Sequence, residues 1–174
     1  EKNYYSNRWR QEADLIKAEV MNKGWKEDMQ CFSQAYENED YDSSLLLMQF
    51  YGFIEADDEK YRKTVYAIKE NLMHKGLMYR YKSEDDFGAP SSSFTICTFW
   101  LIEALFMIDE KDEAEKLFEN MIKYSNHLGL FSEDLDFETK RQLGNFPQAY
   151  SHLAFINTAT LFSEEKKLSK FIQP

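Results

Sequence analysis

The chain has 174 residues, a length that suits one domain with a core worth burying, and residues 1–174 read as a single all-α unit. Its 21 Lys plus Arg against 31 Asp plus Glu, a net charge of −10, would repel phosphate backbones and anionic bilayers, which excludes nucleic acid and a membrane as expected partners. Three prolines and six glycines are too few to punctuate a sandwich of short strands, and no uninterrupted apolar span of about 18 residues occurs, so helices in a soluble chain are expected.

The first run, ending at Lys23, carries Trp9, Ala13, Ile16 and Val20 as one apolar stripe on an otherwise charged helix. "SSLLLMQFYGFI", Ser43 to Ile54, is apolar nearly all round. Tyr61, Val65, Ile68 and Leu72 then repeat the stripe of the first run at the same steps. "FTICTFWLIEALFMI", Phe94 to Ile108, is again apolar on every side, with only Thr95, Thr98 and Glu103 polar. Ala114, Leu117, Phe118, Met121 and Ile122 form a third stripe, and "QAYSHLAFINTATLF", Gln148 to Phe162, a third apolar run. A striped helix shows one face to water, whereas a helix apolar all round is buried all round.

Gly24, Gly76 and Gly129 follow the three striped runs at separations of 52 and 53 residues, and each reads as a left-handed stop after a helix. The order is therefore outer, inner, outer, inner, outer, inner. That alternation predicts an α/α toroid of about six helices rather than an open solenoid, which would expose one helix of every pair along a concave face. The segments after the glycines, rich in aromatic residues, Gln and carboxylates, would line the mouth of a central cavity.

Glu133, Asp134 and Asp136 crowd a short hinge before the last inner helix. Alternation along an extended segment would send Glu133 and Leu135 to one side and the two aspartates to the other. Asn145, just ahead of Phe146 and Pro147, reads as a helix cap. Gln148 and His152 share a helical side at a spacing of four. A His on an apolar helix is commonly a hydrogen-bonded core residue. Asp42 reads as a helix cap or a polar pocket wall, Gln34 and Tyr36 alternate as in a short strand, and Trp100 with Phe99 is either core or a platform for a ring. His74, His127 and His152 lack partners at ligand spacing, so no metal is expected. Cys97, inside an apolar run and 66 positions from Cys31, reads as a buried free thiol rather than half of a bridge, and the cytoplasm is favoured over secretion.

"RWRQEADLIKAEVMNKGW", "SQAYENEDYDSSLLLMQFYGFIEADD", "CTFWLIEALF" and above all "LGLFSEDLDFETKRQLGNFPQAYSHLAFINTA" resemble the C-terminal half of the catalytic domain of glycoside hydrolase family 15, which comprises glucoamylases, glucodextranases and some prokaryotic trehalases. The resemblance covers essentially the whole chain. It implies half of an (α/α)6 barrel, an inverting exo-acting hydrolase of an α-linked glucoside (a maltooligosaccharide, dextran or trehalose), and no cofactor. Glu133 in "LFSED" fills the place of the general base, and Asp134 would then be a solvated neighbour or a helix-turn partner. Gln34 and Tyr36 match a family segment near the sugar pocket, and Trp100, Gln148 and His152 are the further candidates for substrate contact.

Two departures stand out. Nothing corresponds to the family's general acid, a Trp-Glu followed by an Arg, and Ser91-Ser92-Ser93 replaces the Glu-Gly pair that many members carry. The 174 residues are accordingly expected to be inactive alone, their bare edges covered by a missing amino-terminal half or by another copy. An α/α repeat module that binds a glycan or a protein without catalysis is the alternative.

Overall fold

The computed structural model describes residues 2–86 and 88–165. Among them, α1 (Lys2–Lys23), a 3₁₀ helix (Ser43–Met48), α2 (Glu59–Leu72), α3 (Thr95–Met107), α4 (Lys111–Ile122) and α5 (Ala149–Glu165) follow in the predicted order. Two-residue strands connect them. β1 (Trp25–Lys26) pairs with β2 (Cys31–Phe32), and β3 (Met73–His74) with β4 (Leu77–Met78), both antiparallel. β5 (Ser93–Phe94), β6 (Asp134–Leu135) and β7 (Gln142–Leu143) form a small antiparallel sheet with β6 in the middle.

The centre of the packing is α3, which lies against α2, α4, α5 and the 3₁₀ helix. Cys97, Phe99, Leu101, Ile102 and Leu105 are fully buried along it, so its sides are apolar all round because each meets protein. Each such aliphatic side chain contributes about 1.5–3 kcal/mol by leaving water. Leu105→Ala would therefore break the helix's hold on its neighbours. The high aromatic share is explained here too. Phe118 stacks on Phe155 and Phe162 with ring centres 5.8 and 5.1 Å apart, and Phe131 meets Phe99 and Phe155 edge-on or tilted, at 5.6 Å each, knitting α3, α4 and α5 together. Cys97 is buried and free, as expected, and so is Cys31. No helix among the described residues is long and apolar enough to cross a membrane.

Four expectations need correction. The first inner run does not reach Ile54: the Gly52 N–H bonds to Gln49 O (2.8 Å) and the Phe53 N–H to Met48 O (2.9 Å), the paired bonds of a left-handed helix stop, with Gly52 at φ 68°. Nor are all inner helices buried on every side. Phe50, Tyr51, Leu153 and Ile156 are exposed, because the 3₁₀ helix and α5 flank α3 and have no neighbour on their far sides within the described residues. The stripe of α1 is bare, with Trp9 and Ile16 both exposed, since only the end of that helix meets the rest of the fold. Finally, the repeated glycines are not uniform stops. Gly24 lacks a positive φ, and Gly76 (φ 78°) sits with Lys75 (φ 50°) at the tip of the β3–β4 hairpin, where two left-handed residues match the strand twist.

Candidate active site

The small sheet fixes the acidic hinge. Phe94 stands opposite Asp134 and Asp134 opposite Leu143, so the hinge is the middle strand between the entry to α3 and the approach to α5. Glu133 continues the ladder by one residue: its carbonyl accepts from the Thr95 N–H and its N–H donates to the Asn145 carbonyl, each at 2.9 Å. The first amide of α3, which has no partner inside its own helix, is thus satisfied by Glu133 itself. One residue's main chain therefore registers two helices against each other.

The Glu133 side chain, half-buried, is met by three donors. Tyr150 Oη, in the first turn of α5, donates to Oε1 at 2.6 Å. The Asn145 N–H and side-chain Nδ2 both donate to Oε2, at 3.1 and 2.9 Å. The Tyr150 bond above all, with those of Asn145, holds the carboxyl below its ordinary range, so Glu133 is ionised near neutral pH. The same contact acts in the opposite sense on the phenol, which burial and the Glu133 charge push far above its usual value. Tyr150 therefore stays a donor.

The neighbouring acids do other things. Asp134 is half-buried rather than solvated: it accepts from Ser92 Oγ at 2.6 Å, and burial raises its pKa. Asp136 Oδ1 accepts from the Glu138 N–H (3.1 Å) and from both the N–H and the hydroxyl of Thr139 (2.7 Å each), and so shapes the turn between β6 and β7. Asn145 does not cap a helix. Its donors are committed to Glu133, and α5 begins four residues later.

Two hollows border this centre. One of about 470 Å³ is lined by Arg80, Tyr81, Asp85, Ser91, Ser92, Phe94 and Asp134 among others, a wall of mixed polar and apolar surface. Another of about 190 Å³ lies beside Ile96, Trp100, Glu103, Tyr150 and Asn157. Asp134, which follows Glu133 in the chain, lines the first, and Tyr150, which binds its Oε1, lines the second. Among the described residues no group of three or more His, Cys, Asp or Glu is placed to hold a metal ion.

A family model for glycosyl hydrolases family 15 matches residues 2–120 and 107–160. The chain belongs to that family. It is 38% identical to a trehalase of Mycobacterium tuberculosis over 98% of its own length and 26% of that protein's. It is 39% identical to a trehalase of Thermoplasma volcanium over 93% of its length and 26% of that protein's. The chain thus spans about a quarter of the relatives it matches. A solved glycosidase superposes with a TM-score of 0.79 at 16% identity, covering 91% of this chain and 45% of that one, and the same glycosidase carrying the change E335A was solved in complex with glucose. At that identity the likeness speaks for the fold, the α/α toroid.

The other residues that the sequence offers for substrate contact are placed unevenly. Trp100 lines the smaller hollow with the Arg80 guanidinium 5.6 Å from its ring centre. Arg80 is anchored by Nε to the buried Asp42 at 2.7 Å, and Asp42 also caps the 3₁₀ helix through the Ser44 N–H, as the cap reading had it. Gln34 reaches this pair, donating to Asp42 Oδ2 at 3.3 Å. Tyr36 points elsewhere in the same loop, under the Lys23 ammonium at 5.6 Å. Gln148 touches the Tyr150 hydroxyl through its side chain, one bond removed from Glu133.

His152 is turned to the main chain. Nδ1 lies 2.6 Å from the Gln148 carbonyl and Nε2 accepts from the Phe131 N–H at 3.2 Å, so both nitrogens are engaged without a sugar. Tyr150 and Arg80 are not singled out by the sequence, and Asn145 is marked there only as a helix cap. For Tyr150 the signal was present, since an aromatic hydroxyl in the first turn of an apolar helix, just after an acidic hinge, needs a polar partner.

Proposed function

We propose that this chain carries the general-base side of an inverting hydrolase of α-linked glucosides, with Glu133 as the base. The observation that carries the reading is the three-donor grip on Glu133, which keeps a half-buried carboxylate charged between Asp134 and Tyr150, each of which lines a hollow, in a chain of this family. An inverting reaction places a water between the base and the anomeric carbon, and the two carboxyls stand about 6.5–9.5 Å apart to make room for it. Glu133 takes a proton from that water as its oxygen bonds the anomeric carbon, the glycosidic bond breaks, and the departing oxygen receives a proton from an acid. The acid is assigned to a part of the whole protein outside these residues, so the 174 residues by themselves are expected to hydrolyse nothing.

Trehalose is the first substrate to offer, because the relatives above are trehalases; maltose and dextran are the comparison arms. The hollow beside Asp134, with Arg80, Ser91 and Ser92 on its wall, supplies donors and acceptors suited to sugar hydroxyls. Inversion at one ring of trehalose releases one β-glucose from the attacked ring and one α-glucose from the other. Proton NMR of fresh product from the whole protein reads that ratio directly. Glu133→Gln is expected to lower kcat at least about 10²-fold. A wild-type rate in that variant removes Glu133 from the mechanism.

A further inference from the structure

A carboxylate has about four lone-pair sites, two on each oxygen. On Glu133 they are unequally occupied. Oε2 accepts two bonds from Asn145, one from its main chain and one from its side chain. It is also walled in by the turn before α5: a β-carbon built on Gly144 would stand 2.9 Å from Oε2 and 3.2 Å from Cβ of Glu133, and Gly144 holds φ +71°. Asn145 is in turn fixed by the Glu133 N–H bonded to its carbonyl. Oε1 accepts one bond, from Tyr150 Oη. One lone pair is left, and it is on Oε1.

We infer that Oε1 is the atom that receives the proton from water, and that Tyr150 is a positioning residue that aims its remaining lone pair by donating to the other. This rests on the reading of Glu133 as the base. Water's O–H bond breaks toward Oε1, the new O–H forms there, and the freed electron pair on the water oxygen goes to the anomeric carbon. Asn145 holds Oε2 throughout and has no part in the transfer. Because Tyr150 bonds best to the charged carboxylate, it keeps the base ionised at lower pH than an unclamped glutamate and weakens it somewhat in exchange. The titratable groups facing the carboxylate are Asp134, beside it in the chain, and Tyr150 from α5; Asn145 from the turn and Phe94 from β5 do not titrate.

The test is Tyr150→Phe in the whole protein, which keeps the ring and its edge contact with Phe94 at 5.7 Å and deletes only the hydroxyl. The acidic limb of kcat/KM is expected to move up by about one pH unit. In the same variant kcat should fall about tenfold with KM nearly unchanged, since the hydroxyl acts through Glu133 and not on the sugar. Fluorotyrosine at position 150 is a stronger donor and should move the limb down, which supplies a second reading if the phenylalanine variant fails to fold. An acidic limb unmoved in both, while Glu133→Gln is dead, overturns the role of Tyr150 and leaves the base in place. Full activity of Glu133→Gln overturns both.

Discussion

Two glutamates meet α5, one at its foot and one near its middle, and each is bonded by a hydroxyl of that helix. At the foot, Tyr150 donates to Glu133, whose other oxygen is held by Asn145; its pKa is lowered. Near the middle, Thr158 Oγ1 lies 2.8 Å from Glu103 Oε1, and burial raises the pKa of that carboxyl. The residue type is the same and the helix is the same. What differs is the number of donors set against the water removed: three donors outweigh modest burial at Glu133, and one does not outweigh deeper burial at Glu103. A charged, aimed carboxylate is therefore built from a turn and a helix start together, and a helix side alone yields a muted one.

The strongest way to break the contrast is to unseat the clamp without touching Glu133. Gly144→Ala puts a methyl 2.9 Å from Oε2, too close for an ordinary contact, and asks an alanine to hold φ +71°. The strain is about 1–2 kcal/mol, and displacement of the carboxylate should lower kcat about 10- to 100-fold. Steady-state rates beside a thermal unfolding curve would separate the two effects. A variant with wild-type kcat would show that the turn does not fix the base.

A smaller change sharpens the contrast within the hinge. Asp136 lies three residues from Glu133 and also accepts three bonds, yet all come from its own turn. Asp136→Ala should lower the unfolding temperature slightly while leaving kcat within about twofold of the parent. A large loss of kcat would mean that the β6–β7 turn transmits to the base, and that the two acids are not separable.

Legibility followed the length of the signal. Stripes of four or five residues placed α2 and α4 well, and the unbroken apolar run of α3 announced its burial, because those patterns reflect contacts with neighbours inside the chain. α1 carries as regular a stripe as α2, yet Trp9 and Ile16 are exposed: a stripe records what a helix needs to bury, not whether the partner is present. The strands among the described residues are two residues each, too short for any alternation to register, so the hairpin beneath Gly76 reads from the sequence as a helix stop. Glu133 could be singled out through its local motif. Its partners could not, since Tyr150 and Asn145 reach it through the register of β6 against β7 and the turn that follows, and Gln148 and His152, matched by spacing, share a side that faces main chain as much as any hollow.

The least disruptive prediction concerns Glu103. Thr158 Oγ1 is within bonding distance of both Glu103 Oε1 and the Ala154 carbonyl, at 2.8 and 2.9 Å, but a hydroxyl has one proton. While Glu103 is charged its oxygen and the Ala154 carbonyl compete for that proton; once Glu103 is protonated, its own O–H can donate to Thr158 Oγ1 and the hydroxyl's proton is left to Ala154. With a folded pKa above the unfolded one, the fold binds the proton more tightly than the unfolded chain does. The stability of this arrangement is full below the ordinary glutamate pKa and falls as pH rises through the raised one. Glu133, with its lowered pKa, has the opposite sign: its share is present above the ordinary value and is lost as pH drops through the lowered one. Glu103→Gln keeps a donor for Thr158 and cannot ionise. Unfolding curves of variant and parent should agree to within about 0.5 kcal/mol at pH 4 and separate toward neutral pH, with the variant the more stable. Curves that stay parallel across that range would mean that Glu103 ionises in the fold as it does in the open chain, and the contrast between the two ends of α5 would then rest on the Glu133 clamp alone.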